Sequence, residues 1–166
     1  MSGDPASDAS AASLPRLQRL ALERCFEFVA HAHVPEAGWP ARPGQVLRDS
    51  AGRAVLLHFA PGRWLVPAPD ERLRTRLDAL VRDRHGALVD VEGKWQALTP
   101  TPVTATRVLA SGVELDALLQ GRDAAAVVLF DCPVIVVRAG AGFELYVAAS
   151  YLHSFEAAVE SLWIPD

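Results

Sequence analysis

The 166 residues carry 16 Lys or Arg against 20 Asp or Glu, a formal net charge of -4, with both signs mixed along the chain. No basic stripe is present to neutralise a nucleic-acid backbone, so nucleic acid is excluded as an expected partner. Hydrophobic residues make up 51%, enough for one good core or two small halves packed together.

Residues 1–13 are Ser, Ala, Asp, Gly and Pro with almost nothing to bury, and ordering them would cost backbone entropy for little return. They are expected to form a disordered tail ahead of a single domain over residues 14–166. The opening has neither the charged nor the apolar region of a secretory signal. No apolar run approaches the roughly 20 residues that span a bilayer, so a cytoplasmic protein is expected. Cys25 and Cys132 lie far apart and outside any CxxC pattern, which reads as two small buried hydrophobes in a reducing compartment.

From Leu14 the apolar positions Leu17, Leu20, Ala21, Cys25, Phe28 and Ala32 follow helical spacing, while Phe26, Phe28, Ala30, Ala32 and Val34 alternate as a strand would. The helix is favoured. The three prolines and two glycines of Val34 to Gly44 then make a connector. Two apolar runs, Arg53 to Ala60 and Arg63 to Ala68, joined through Pro61-Gly62, read as a hairpin that Pro67 and Pro69 end.

Asp70 stands where an N-cap belongs, and Leu73, Leu77, Leu80 and Val81 form a helical stripe that closes near His85-Gly86. Arg72, Arg74, Arg76, Arg82 and Arg84 occupy its remaining faces and would bind an anion only if they converged. A solvated face is the ordinary alternative. ALVDVEGKWQAL, Ala87 to Leu98, reads as a strand broken at Glu92-Gly93, and a short helix follows Pro102 with Thr101 as its cap and Gly112 past its end.

Three more strands are expected, over Ala124 to Phe130, Val134 to Arg138 and Phe143 to Val147. A last helix opens at Ser150, buries Leu152, Phe155, Val159 and Leu162, and stops at Pro165. The order of elements implies a layered α+β domain, helices covering one side of mostly antiparallel sheet, with two similar halves at 14–86 and 87–166.

Searching this frame for chemistry yields no catalytic, cofactor-binding or metal residue. His31 and His33 would project together only from a strand, and no third or fourth zinc ligand is near in sequence. His58 lies in an apolar strand and His85 beside a helix-ending glycine. Neither cysteine has a nucleophile motif around it, and there is no GxSxG elbow. AGAG at 139–142 leads into a strand, where a phosphate loop must lead into a helix. Asp90 and Glu92 share a strand face and could share a proton if held close, although a surface pair is usually just solvated. Among the tryptophans Trp64 reads as core, while Trp39 and Trp163 are the two candidates for a partner interface, with burial in the core as the equal alternative.

These residues have a recognisable order. RPGQVLRDSAGRAVLLHFAPGRWLVPAP, then ALVDVEGKWQAL, VTATRVLASGVELDALL and AAAVVLFDCPVIVVRAGAGFELYVAASYLHSFEAAVESL resemble the gamma subunit of heterotetrameric sarcosine oxidase, over roughly Pro43 to Leu162. That family is similar in fold to the folate-binding domain of aminomethyltransferase, the glycine-cleavage T-protein. Trp64 matches the family's tryptophan after the first hairpin, Val108 to Leu118 its VLAKGCPLDL segment, and Phe143 to Tyr151 its FDLYVPRSY. Glu92 replaces the serine of VDVS, ALTPTP at Ala97 to Pro102 stands where a Ser-Gly-Pro turn is usual, and the opening strand of the family has no evident counterpart.

The resemblance implies a non-catalytic assembly subunit of a complex that oxidatively demethylates sarcosine and passes the one-carbon unit to tetrahydrofolate. FAD, FMN and NAD would sit in alpha and beta subunits, zinc in delta and tetrahydrofolate in alpha, with this chain packed against alpha- and beta-like partners. The rival expectation is a stand-alone folate or small-ligand binding domain, a homodimer when alone.

Overall fold

The computed structural model describes residues 17–22, 24–31, 34, 38–111 and 120–163. The expected tail at 1–13, His33, Gly112 and Pro165 lie outside the described residues. The α+β expectation holds, but the strands divide between two five-stranded sheets, all of whose pairings are antiparallel.

Sheet 1 contains β1 (Leu17–Leu20), β7 (Trp95–Pro100), β10 (Gly142–Ala148), β9 (Cys132–Ala139) and β8 (Ala124–Leu129), in that spatial order. Sheet 2 runs β3 (Val46–Arg48), β4 (Ala54–Ala60), β5 (Arg63–Val66), β2 (Phe26–Ala30), β6 (Gly86–Asp90). The strand expected over Ala87 to Leu98 is therefore two strands in two sheets. Its break is a turn in which Lys94 N–H donates to the Val91 carbonyl at 2.9 Å and Gly93 takes φ 74°, a left-handed conformation that costs glycine nothing.

The favoured helix from Leu14 is corrected to β1 and β2. Phe26 and Phe28 bury on one face of β2 and Glu27 on the other, and β2 gains a partner strand on each side, β5 and β6. Two ladders of backbone hydrogen bonds and a period of two override the helical spacing of a few apolar residues. The first of these strands, β1, pairs with β7 from Leu17↔Pro100 to Leu20↔Ala97.

Helices cover only the outer faces, because each sheet turns its other face to its neighbour. On sheet 2 lies α1 (Glu71–Arg82), capped by the Asp70 carboxylate, which accepts from Leu73 N–H at 2.6 Å. Its Leu73, Leu77 and Leu80 pack on Phe26, Phe28, Leu56 and Val66. The helix ends with Arg84 at φ 60°, Arg84 N–H donating to Val81 and His85 N–H to Leu80, the paired bonds of a Schellman cap with arginine where glycine is usual. Gly86 follows because a Cβ there would come within 2.5 Å of the Val29 carbonyl and 2.6 Å of the Phe28 ring.

Sheet 1 is covered by α2 (Pro102–Ala110), capped by Thr101, and α3 (Leu152–Ser161), entered through a 3₁₀ turn over Ala149–Tyr151 that displaces its start from the expected Ser150. Leu98, Val134, Val136, Leu145 and Val147 meet Val108, Leu109, Phe155 and Val159 there. Between the sheets Leu57, Leu65, Ala97, Ile135, Val137 and Tyr146 form a third cluster. The order of layers is helix, sheet, sheet, helices.

Candidate functional site

Alternation on β2 sends Glu27 inward, between the sheets, where it is 3% exposed. A bare carboxylate at that depth would be costly, and two cations meet it. Arg63, on β5, donates through Nε at 2.6 Å and pairs with the same oxygen through Nη2, while Lys94 Nζ reaches the other oxygen at 3.1 Å. Both cations remain about half exposed, 46% and 50%, and Arg63 also lies over the Phe59 ring. The triad joins β2 and β5 of sheet 2 to the turn that enters sheet 1. The sequence reading missed it because Glu27 was placed on a helix, although a lone acid inside FEFVA is the signal that could have revealed it.

The reactive residue types sit in environments that quieten them. Burial pushes the Cys25 thiol up to about 12, Asp90 and Glu27 adding to the shift, and burial with Asp131 nearby raises Cys132. The Tyr146 hydroxyl is raised by burial and by Glu144, to which it donates at 2.9 Å. Thiolate and phenolate are therefore both disfavoured at neutral pH.

His31 is exposed and His85 half-buried, and they meet only through the backbone, His31 N–H donating to the His85 carbonyl at 3.0 Å. Among the described residues no three His, Cys, Asp or Glu gather to hold a metal ion. Asp90 and Glu92 do not share a strand face, since β6 ends at Asp90, whose carboxylate accepts the Glu92 N–H at 2.9 Å and shapes the turn.

The five arginines around α1 do not converge. Arg74 pairs with Asp78 and lies 4.4 Å over the Phe26 ring, Arg76 lies 5.7 Å over Trp39, and Arg72, Arg82 and Arg84 are exposed. An open cleft of about 760 Å³ lies near the start of that helix, between Arg24, the Asp49–Arg53 turn, Val55 and Pro69. Its carboxylates are already engaged. Asp70 caps α1, and Asp49 is held below its usual range by the Arg53 N–H, the Arg53 guanidinium and the Ala51 N–H.

Trp39, one interface candidate, is 7% exposed and packs among Phe28, Trp64 and the α1 leucines, leaving a partner little indole to cover. Trp163, the other, is half-buried at the end of α3 with Arg107 4.8 Å over its ring. Apolar surface lies elsewhere. On β8, Ala126 and Val128 share a face with Ala124 and Ile135, which are buried between the sheets, yet Val128 is 65% exposed and Ala126 is exposed too. Pro133, opposite Val128, extends the strip along an edge strand without a charged residue. Such an edge offers unpaired backbone groups to a further chain.

No protein-family model and no curated protein matches this chain. Among solved structures it is similar to a chain of the heterotetrameric sarcosine oxidase from Corynebacterium sp. U-96 in complex with pyrrole 2-carboxylate. The TM-score is 0.67 at 21% identity, over 92% of this chain and 87% of that one. The likeness is one of fold. No helix of the described residues is long and apolar enough to cross a membrane.

Proposed function

We propose that the chain is a gamma-type subunit of a sarcosine-oxidase-like complex, holding alpha- and beta-like subunits in place and contributing no reacting group of its own. One observation carries this reading: the fold is similar to that of a chain of a heterotetrameric sarcosine oxidase, over 92% of this chain. FAD, FMN, NAD and tetrahydrofolate would belong to the partners, as would the oxidative demethylation of sarcosine. The uncharged β8 edge with Val128, Ala126 and Pro133 supports a role in packing, because exposed apolar surface beside an open strand edge is what a partner covers.

Co-expression with alpha- and beta-like sarcosine oxidase subunits, followed by size-exclusion chromatography, tests the proposal. Co-elution is expected, weakened by Val128→Lys. Elution as an independent monomer or homodimer overturns it. Calorimetric titration of the isolated chain with tetrahydrofolate separates the rival: a saturable heat would identify a ligand-binding domain in its place.

A further inference from the structure

His58, on β4, is 3% exposed, and neither ring nitrogen makes a hydrogen bond. Its imidazole stacks on Trp64 at 4.2 Å between centroids and 23° between planes, on the face of sheet 2 that carries Phe28 and Trp39. Across this cluster lies residues 38–45, a strap without regular structure. Trp39 inserts one end into the core under α1, and the Pro40 carbonyl accepts the Trp64 indole N–H at 2.9 Å.

The other end is tied at Gly44. Its N–H donates to the His58 carbonyl at 2.7 Å, and its own carbonyl accepts from Asp123 N–H at 2.8 Å and Ala124 N–H at 3.0 Å, where β8 begins. Gly44 holds φ 94°, and a Cβ there would meet the Ala124 carbonyl and the Arg122 side chain, each at 2.9 Å. The strap thus bridges the histidine strand of sheet 2 to the edge strand of sheet 1.

We propose that His58 is an acid-sensitive latch: protonation of its imidazole loosens the 38–45 strap and, through Gly44, frees the start of β8 before the sheets themselves unfold. An imidazolium in this slot would lose its hydration without gaining a counter-charge, and the Trp64 face and the nearby carbonyls would return only part of that loss. The elements packed around His58 carry Arg42 on the strap, Arg48 on β3, Arg63 on β5, Glu27 on β2, Arg122 and Asp123 ahead of β8, and on α1 Arg76 together with Glu71, Arg72, Arg74, Asp78 and Arg82. Glu27 and Arg63 are paired together on the opposite face of the sheet. Burial lowers the His58 pKa below 6.5, opposed only by the nearby carbonyls of Pro40, Ala60 and Arg42, and no carboxylate contributes. Neutral imidazole therefore closes the latch, and the proton is taken up when it opens.

Amide hydrogen exchange from pH 7.5 to 5, corrected for intrinsic rates, tests this on the full chain. Below about pH 6.5 the opening constant read at Gly44, Asp123 and Ala124 should rise by up to about tenfold per pH unit, the limit for one proton. The amides of Val134 to Val137 should stay protected. His58→Phe should remove the pH dependence, and His58→Leu serves if the ring cannot be accommodated. The latch is overturned if protection at Gly44, Asp123 and Ala124 is flat with pH. Loss in step with the β9 amides, or pH dependence that survives replacement of the histidine, overturns it equally.

Discussion

Among the described residues the buried side chains beneath α2 and α3 are aliphatic or phenyl apart from the Cys132 thiol and the Thr104 hydroxyl, which is bonded to Thr101 at 2.8 Å. Beneath α1 an unbonded imidazole and two indoles share the space with Leu73, Leu77 and Leu80. On the reverse of that sheet a buried carboxylate needs two cations. Both halves are antiparallel sheet under helix, yet the core of one rests on apolar packing, with its Arg19–Glu156 ion pair out at the surface, and the other makes its packing conditional on protonation states. Stability of the first should ignore pH; that of the second should not.

The largest expected effect lies in the dry half. Phe155 is fully buried, its ring 5.9 Å from Phe130, and Phe155→Ala should cost about 3–5 kcal/mol from lost transfer energy and the cavity left behind. Urea titrations at pH 7.5 and 5.5 should give the same loss. A pH-dependent difference would mean that the two cores are coupled.

Next in size is the triad, where the two ways of breaking it differ. Arg63→Met with Lys94→Met strands Glu27 between the sheets and should cost about 3 kcal/mol, the low end for breaking a buried pair, since water already screens the half-exposed cations. Glu27→Gln leaves those cations free to turn outward and should cost less, about 1–2 kcal/mol. Equal losses in the same titrations would show that the carboxylate is reached by water after all.

These contrasts mark how far the sequence could be read. α1 and α2 were legible because capping and the 3.6-residue stripe are local: Asp70 before the leucines, Thr101 before Pro102. The Arg53–Ala68 hairpin and the last three strands were legible through their turn residues. β1 and β2 were misread because a strand of four or five residues is decided by its partners, and the partners of β2 lie about 40 and 60 residues downstream. The division into two sheets was hidden for the same reason, since a turn of four residues does not reveal that Asp90 and Trp95 enter different layers. Glu27 with Lys94, and His58 under residues 38–45, are tertiary pairings with no local signature.

His58 gives the third effect. Its pKa is depressed on folding, so the unfolded chain binds the extra proton. Stability is complete above about 6.5, the ordinary histidine value, and is lost as pH falls from there toward the folded value. Urea midpoints of the wild type should decline over that window, and His58→Phe should flatten the decline without altering the pH-independent loss from Phe155→Ala. An unchanged slope would show that the acid sensitivity does not arise at His58.

The smallest effect tests whether the α1 half can be strengthened without touching its polar groups. Arg84 holds φ 60° at the Schellman position after α1, and its side chain is exposed. A Cβ in the left-handed region is strained, whereas glycine adopts it freely, although glycine also loses more entropy on folding. The strain should prevail, and Arg84→Gly should stabilise by about 0.5 kcal/mol, read as a higher urea midpoint with an unchanged pH slope. Gly86, two residues on, makes the opposite case: its φ is ordinary, but a Cβ would press on the Val29 carbonyl. Arg84→Gly raising the midpoint while Gly86→Ala lowers it would separate backbone conformation from close approach as the reasons glycine suits one end of this turn and is required at the other.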